Sequence, residues 1–423
     1  MSIFLSPRGA GFGSWLTARR LRAQGLALAL VLWGVYAWVI SCPGLRDRNG
    51  HLKGTDFLHF YTLGSLALHQ RGASLYDMTA QASLAAQRVP SAAGIRYLPL
   101  YPPQVSLLFA PFARLTYLEA LALWWVLSLL IYAACSYCVW RLCPNLTEHG
   151  STILLLAAAF PGFFNLIVWG QTSALALASF TVAILCFRRK ANFWAGLSLG
   201  LLVFKPQLAI VAAILLLSSS AWQATVGAIF SAVAELSTGV LYYGEQPFLT
   251  WIRALWHVRE TANALEPRPY QTHCLRTFWS MLIPWKSISI PLYVITAALV
   301  VVWTLQVWNR SQSWRLRSSS LLFATILVAP HLTVYDLVVL APAFVLLADW
   351  LLSEGNATIA SNIGILLYLA YVLPLVGFLS QWTHVQLSVL AMMALAYRIR
   401  NAALLEGPLK NPGAAGKVSL VQV

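Results

Sequence analysis

The chain has 423 residues, 59% of them hydrophobic and only 10% charged, with a mean hydropathy of +0.70. A water-soluble domain is nearer half apolar and a quarter charged, so a soluble fold is excluded. Its 28 Lys and Arg against 13 Asp and Glu leave a net charge of +15, but the cations sit mostly between apolar runs, where they report orientation in a membrane rather than affinity for nucleic acid.

Arg8, Arg19, Arg20 and Arg22 precede an apolar run from about 24 to 41, and no small-residue cleavage site follows, which reads as a retained first span. With about 20 apolar residues needed per crossing, further spans are expected near 118–140, 151–167, 172–187, 222–243, 288–308, 335–352, 361–380 and 383–397. Three shorter runs, 192–204, 208–219 and 318–330, reach roughly 20 Å against a hydrocarbon core of about 30 Å. Polar groups at their ends must then be buried in protein or face a water-filled cavity at membrane depth. The expected fold is all-α and polytopic, a single integral membrane domain over 1–423 with about 12 transmembrane helices (roughly 10 to 13), provided that Tyr101 to Leu115 is a re-entrant or surface helix.

Lys and Arg in short loops are retained on the cytoplasmic side. Four clusters mark it: Arg8 to Arg22; Arg188, Arg189 and Lys190; Arg310, Arg315 and Arg317; and Arg398, Arg400, Lys410 and Lys417. Both termini come out cytoplasmic, and two long segments, 42–117 and 244–287, lie outside as the first and second periplasmic loops. In the first, a helix from about Asp56 to His69 places Phe57, Phe60, Tyr61, Gly64 and Leu68 on one apolar face, which suits an interfacial helix. Asp56, at its start, reads equally well as an N-cap or as a site acid.

On that topology Asp56, Tyr101-Pro102-Pro103, Gly170-Gln171, Lys205-Pro206-Gln207 and His331 to Asp336 all fall on the outer side. Proline and glycine at these points break helices and free backbone groups, which a membrane tolerates only beside something polar; one outward-opening cavity satisfies all of them. Lys205, between two short apolar runs, suits an anion, or it snorkels to the interface. His331 follows a proline and is read as a site residue, whereas Asp336 is equally a helix cap. Six Cys are present; the Cys135-x-x-Cys138 pair lies in an apolar run without a second ligand pair and is read as helix packing. The 18 Trp suit interfacial belts.

The ordered motifs Asp56-Phe-x-x-Phe-Tyr61, Leu75-Tyr-Asp77, Tyr101-Pro-Pro103, Trp169-Gly-Gln171, Lys205-Pro-Gln207 and Pro330-His-Leu-x-x-Tyr-Asp336 resemble the pattern of glycosyltransferase family 87. These are multi-spanning enzymes of the GT-C fold that include polyprenol-phosphate-mannose-dependent mannosyltransferases of mycobacterial envelope synthesis. The resemblance implies a hexosyltransferase of the inner membrane that moves a sugar, mannose in the best-known case, from a polyprenyl-phosphate-linked donor to a lipid or glycan acceptor on the periplasmic side. It implies inversion at the anomeric carbon with Asp56 as general base, because the phosphate leaving group needs charge stabilisation and no acid. Lys205 and His331, with Arg96 from the loop, are the implied phosphate partners; Gln171 and Gln207 are the implied partners of sugar hydroxyls. Tyr61, Tyr101 and Asp336 complete the implied substrate-binding set. No metal or other cofactor is expected, since the outer side carries no Asp-x-Asp pair or His-x-x-x-His; a nucleotide-sugar donor would also be cytoplasmic. The competing readings are a secondary transporter of a small or lipid-linked anionic solute and another GT-C activity. Matching interruptions in the two halves, which a transporter should show, are missing.

Overall fold

The computed structural model describes residues 16–257 and 268–406; Arg8, Lys410 and Lys417, invoked for orientation, lie outside the described residues. Among the described residues the chain is helical, with no strand and one isolated bridge between Arg46 and Leu52. In chain order the helices are α1 (Ala18–Ile40), α2 (Phe57–Leu68), α3 (Met78–Arg88), α4 (Gln104–Phe109), α5 (Tyr117–Trp140), α6 (Gly150–Ala158), α7 (Pro161–Trp169), α8 (Ser173–Arg188) and α9 (Asn192–Gly200). There follow α10 (Pro206–Ser218), α11 (Trp222–Tyr243), α12 (Glu245–His257), α13 (Leu275–Leu282), α14 (Lys286–Arg310), α15 (Trp314–Val328), α16 (Ala341–Ser353), α17 (Ala357–Val372) and α18 (Leu387–Leu405).

Most of each apolar run marked in the sequence is helical, with breaks at Ala159–Phe160 and His384–Gln386, and among the described residues length and composition alone identify seven or eight crossings. Seven stretches are long and apolar enough to span a bilayer: α1, α5, α11, α14, Val334–Ser353, Ala357–Thr383 and α18. Pro144–Ala158 and Pro161–Trp169, bent by 43°, make an eighth if counted as one span. The helix α8, the stretch Asn192–Phe204 and α10 are apolar but shorter, and α15 has 15 residues. A short helix needs close partners, and glycine supplies them: a Cβ on Gly196 would stand 1.8 Å from the Ala224 carbonyl oxygen, and one on Gly227 would stand 2.2 Å from that of Phe193. The α9 and α11 backbones are therefore in direct contact, the mode by which small residues join membrane helices.

The segment 42–117 corrects one expectation. The helix α2 is not interfacial, because every residue from Phe57 to Ala67 is buried. Its polar positions are few, so no face needs water, and Gly64 lets the α4 backbone settle against it; a Cβ there would lie 2.2 Å from the Phe109 carbonyl oxygen. Phe60 stacks on Phe109 at 4.9 Å, Phe109 meets Trp124 at 4.9 Å, and Phe57 stacks on Trp124 at 6.4 Å. These rings lock α2 to α4 and α5, so Asp56 at its head is held by a rigid core. The Tyr101–Leu115 segment contains α4, six residues long, rather than a span.

At the other end of the bundle Arg315 Nε lies 2.7 Å from the buried Asp349 Oδ2, while the Asn145 amide donates to Asp349 Oδ1 at 2.9 Å. This joins α15, α16 and the turn before α6.

Candidate functional site

A cavity of about 1870 Å³ opens among α1, α2, α7, α10, α13 and α14 and the segments 95–101 and 330–336. Ligand pockets for one small molecule run to about 1000 Å³, so this one has room for two substrates. Of the residues singled out by sequence, Asp56, Arg96, Tyr101, Gln171, Lys205, Gln207, His331 and Asp336 all line it. Tyr61 does not: it is buried on the far side of α2, its hydroxyl donates to the Leu115 carbonyl at 2.8 Å and accepts from Arg88 at 2.9 Å, and its ring lies under that guanidinium. Its role in the fold is packing.

Asp56 reaches the cavity through a turn fixed on two sides. Tyr117 donates to the Lys53 and Gly54 carbonyls at 2.8 and 2.9 Å, and the Asp56 amide donates to the Trp169 carbonyl at 3.1 Å. That last bond requires α7 to end abruptly, which Gly170 allows with a left-handed φ of 68°; a Cβ there would also sit 2.7 Å from the Phe57 Cβ. Asp56 occupies the N-cap position of α2 but makes no cap bond with its side chain. Its Oδ2 accepts instead from Gln171 Nε2 at 2.6 Å. The N-cap reading is thereby displaced. Burial pushes the Asp56 carboxyl up to about 6, against the opposing pull of the Gln171 hydrogen bond and the Lys205 and Arg268 charges, with Asp336 adding to the rise.

Lys205 breaks the helical path between the tight turn Leu201–Phe204 and α10. It does not snorkel: it is 3% exposed. Its Nζ lies 2.8 Å from Asp336 Oδ1 and donates to Ser173 Oγ at 2.9 Å, and Ser173 donates to the same carboxylate oxygen at 2.6 Å. Asp336 Oδ2 accepts from the Thr333 amide at 3.1 Å, so this aspartate both caps the turn Val334–Leu340 and neutralises Lys205. The Tyr335 ring covers the ammonium at 5.2 Å. Asp77, from another motif, is a plain N-cap, accepting from the Thr79 and Ala80 amides at 2.8 and 3.0 Å.

Sequence reasoning passed over several lining residues. His59 is 4% exposed, neither ring nitrogen has a hydrogen-bond partner, and the ring sits 5.0 Å from Tyr97 and 5.8 Å from Tyr101. Burial holds its pKa down at about 4, so the imidazole is neutral in ordinary buffers. Its one signal in the sequence is its place a helical turn after Asp56. Arg268, Arg276 and Lys286 also line the cavity, and Arg276 is oriented by donating through Nε to the Pro330 carbonyl. They fall within the 244–287 segment read from sequence as one long loop, where cations carry no topological signal. Among the described residues no group of three or more His, Cys, Asp or Glu is placed to hold a metal ion.

No curated protein and no solved structure matches this chain. The family model of glycosyltransferase family 87 matches residues 100–330, more than half of the chain, including the Tyr101, Gln171 and Lys205 motifs and ending just before His331. The chain belongs to glycosyltransferase family 87.

Proposed function

We propose that this membrane glycosyltransferase transfers a hexose, with mannose the family's best-known case, from a polyprenyl-phosphate sugar to a hydroxyl of a lipid or glycan on the periplasmic face of the inner membrane, with inversion in a GT-C-type fold. The observation that carries the reading is the state of Asp56: it lines the large cavity, makes no cap, and keeps one carboxylate oxygen outside its hydrogen bond to Gln171. In the reaction Asp56 takes the acceptor O–H proton as that oxygen attacks the anomeric carbon, and the bond from that carbon to the phosphate oxygen breaks. Polyprenyl phosphate leaves with the bonding pair. A phosphate leaving group needs cations and no proton.

Those cations are assigned to Arg268, Arg276 and Lys286, with Arg96 at the rim, and His331 is assigned as a hydrogen-bond donor to the phosphate. Lys205 is given a supporting part, because an ammonium already bonded to Asp336 offers little charge to a ligand. The polyprenyl chain would lie along the apolar lining from α10 and α14, where Ile210 and Ile290 face both the cavity and the exterior. The test is purified protein in lipid, given a panel of radiolabelled polyprenyl-phosphate sugars and a membrane lipid extract. Transfer from one such donor is expected; transfer from nucleotide sugars alone would overturn the reading.

A further inference from the structure

Gln171 stands closest to Asp56, and its surroundings leave its amide little choice of direction. Its Oε1 accepts from the Thr172 amide at 3.3 Å and from the Tyr101 hydroxyl at 3.5 Å, which turns Nε2 toward Asp56 at 2.6 Å. Its own carbonyl accepts from Trp124 Nε1 at 3.2 Å. The residue is 6% exposed and follows the left-handed Gly170, so its place is set by the same turn that receives the Asp56 amide. An amide committed in this way has little left for a sugar hydroxyl.

We propose that Gln171 is a positioning residue for the base: it holds Asp56 Oδ2 so that the other oxygen, Oδ1, is presented to the acceptor hydroxyl in its charged form. The inference rests on the assignment of Asp56 as base and assigns Gln171 a role other than sugar binding. An uncharged donor suits the task, because a cation in its place would make the carboxylate too weak a base. Glutamine also has the reach that asparagine, one methylene shorter, lacks from this turn.

The groups that face Asp56 electrostatically are Lys205 and Arg268, which favour its charge, Asp336, which opposes it, and the phenols of Tyr97, Tyr101, Tyr117 and Tyr335. Taking away the Gln171 bond leaves burial less opposed, so the carboxyl holds its proton to higher pH. A hydrogen bond to a charged group corresponds to about one to two pH units.

The experiment compares the pH dependence of kcat and kcat/KM for the wild type, Gln171→Ala and Gln171→Glu in lipid, with folding checked by tryptophan fluorescence. For Gln171→Ala the acidic limb is expected to rise by about one to two units, and kcat at pH 7 to fall about tenfold or more with both KM values changed less than threefold. Part of the loss should return as the pH is raised. For Gln171→Glu, two carboxyls sharing one site should move the limb up further, which keeps the test alive if the alanine variant folds poorly. An unmoved limb with a raised KM for donor or acceptor would overturn the proposal and return Gln171 to sugar binding. Asp56→Asn, run alongside, separates the two failures. If that variant stays active the base assignment itself is wrong, whereas a dead Asp56→Asn with an unmoved Gln171→Ala limb refutes only the positioning role.

Discussion

Replacing Lys205 by Met strips the charge from a pair whose side chains are each 4% exposed and whose atoms are 2.8 Å apart. Three bonds converge on the Asp336 carboxylate, from Lys205, Ser173 and the Thr333 amide, so the single change leaves a buried charge with two neutral donors. Breaking a buried pair by removing one partner costs about 3–5 kcal/mol, while replacing both partners is close to neutral. The pair joins the α9–α10 break to the turn before α16 and, through Ser173, to the head of α8. Lys205→Met should therefore lose about 3–5 kcal/mol, and Lys205→Met/Asp336→Asn much less, with a coupling of about 2 kcal/mol or more. The assay is equilibrium unfolding of the four proteins in mixed micelles, followed by tryptophan fluorescence, with donor KM measured in parallel. Wild-type stability in Lys205→Met, strictly additive effects and a large rise in donor KM would together refute the reasoning and make Lys205 the phosphate ligand.

Gly64→Val places a side chain where even a Cβ lies 2.2 Å from the Phe109 carbonyl oxygen. Separating α2 from α4 by the roughly 1 Å required should cost about 1–3 kcal/mol and lower transfer up to about 100-fold through displaced Asp56, read as melting temperature and turnover. Transfer should fall with acid along a single-proton limb near pH 6, because Asp56, raised to about 6, is protonated and inactive below it; a limb near 4 would contradict this. In stability the same shift has the opposite sense: charging Asp56 costs folding energy as pH rises from the ordinary carboxylate range through 6, and no cost applies below that range. In a cysteine-free background, Gln246→Cys should react with an impermeant thiol reagent from the periplasm and Gln312→Cys should not, both sites being exposed; reversed labelling would invert the topology.

The helices and the gathering of the motifs were legible in the sequence because they follow from local rules. Apolar runs must be helical in a membrane, and the breaks at Gly170, Pro206 and Pro330 expose polar groups that need a shared wet space; the structure indeed lines one cavity with Asp56, Gln171, Lys205 and His331. The pairings were not legible. Lys205 and Asp336 are separated by 131 positions and Gln171 and Asp56 by 115, and no periodicity tells which charge cancels which. The reading of α2 as interfacial failed for a related reason: its pattern shows one strongly apolar face but not that α4 and α5 cover the others. Tyr61 shares a motif with Asp56 yet sits a turn further on, against Arg88. Span number is not fixed by the sequence, because runs such as α10, with 13 residues, are apolar but too short to count as crossings by length alone.

The role of Asp56 is tested most directly by single-turnover sugar transfer by Asp56→Asn in lipid, with substrate binding and folding measured on the same preparation. The rate should fall by a factor of about 1000 or more, with unchanged tryptophan fluorescence and donor affinity within a few-fold of wild type. A rate within tenfold of wild type would show that some other group accepts the acceptor's proton, and the cavity's chemistry would have to be rebuilt without Asp56.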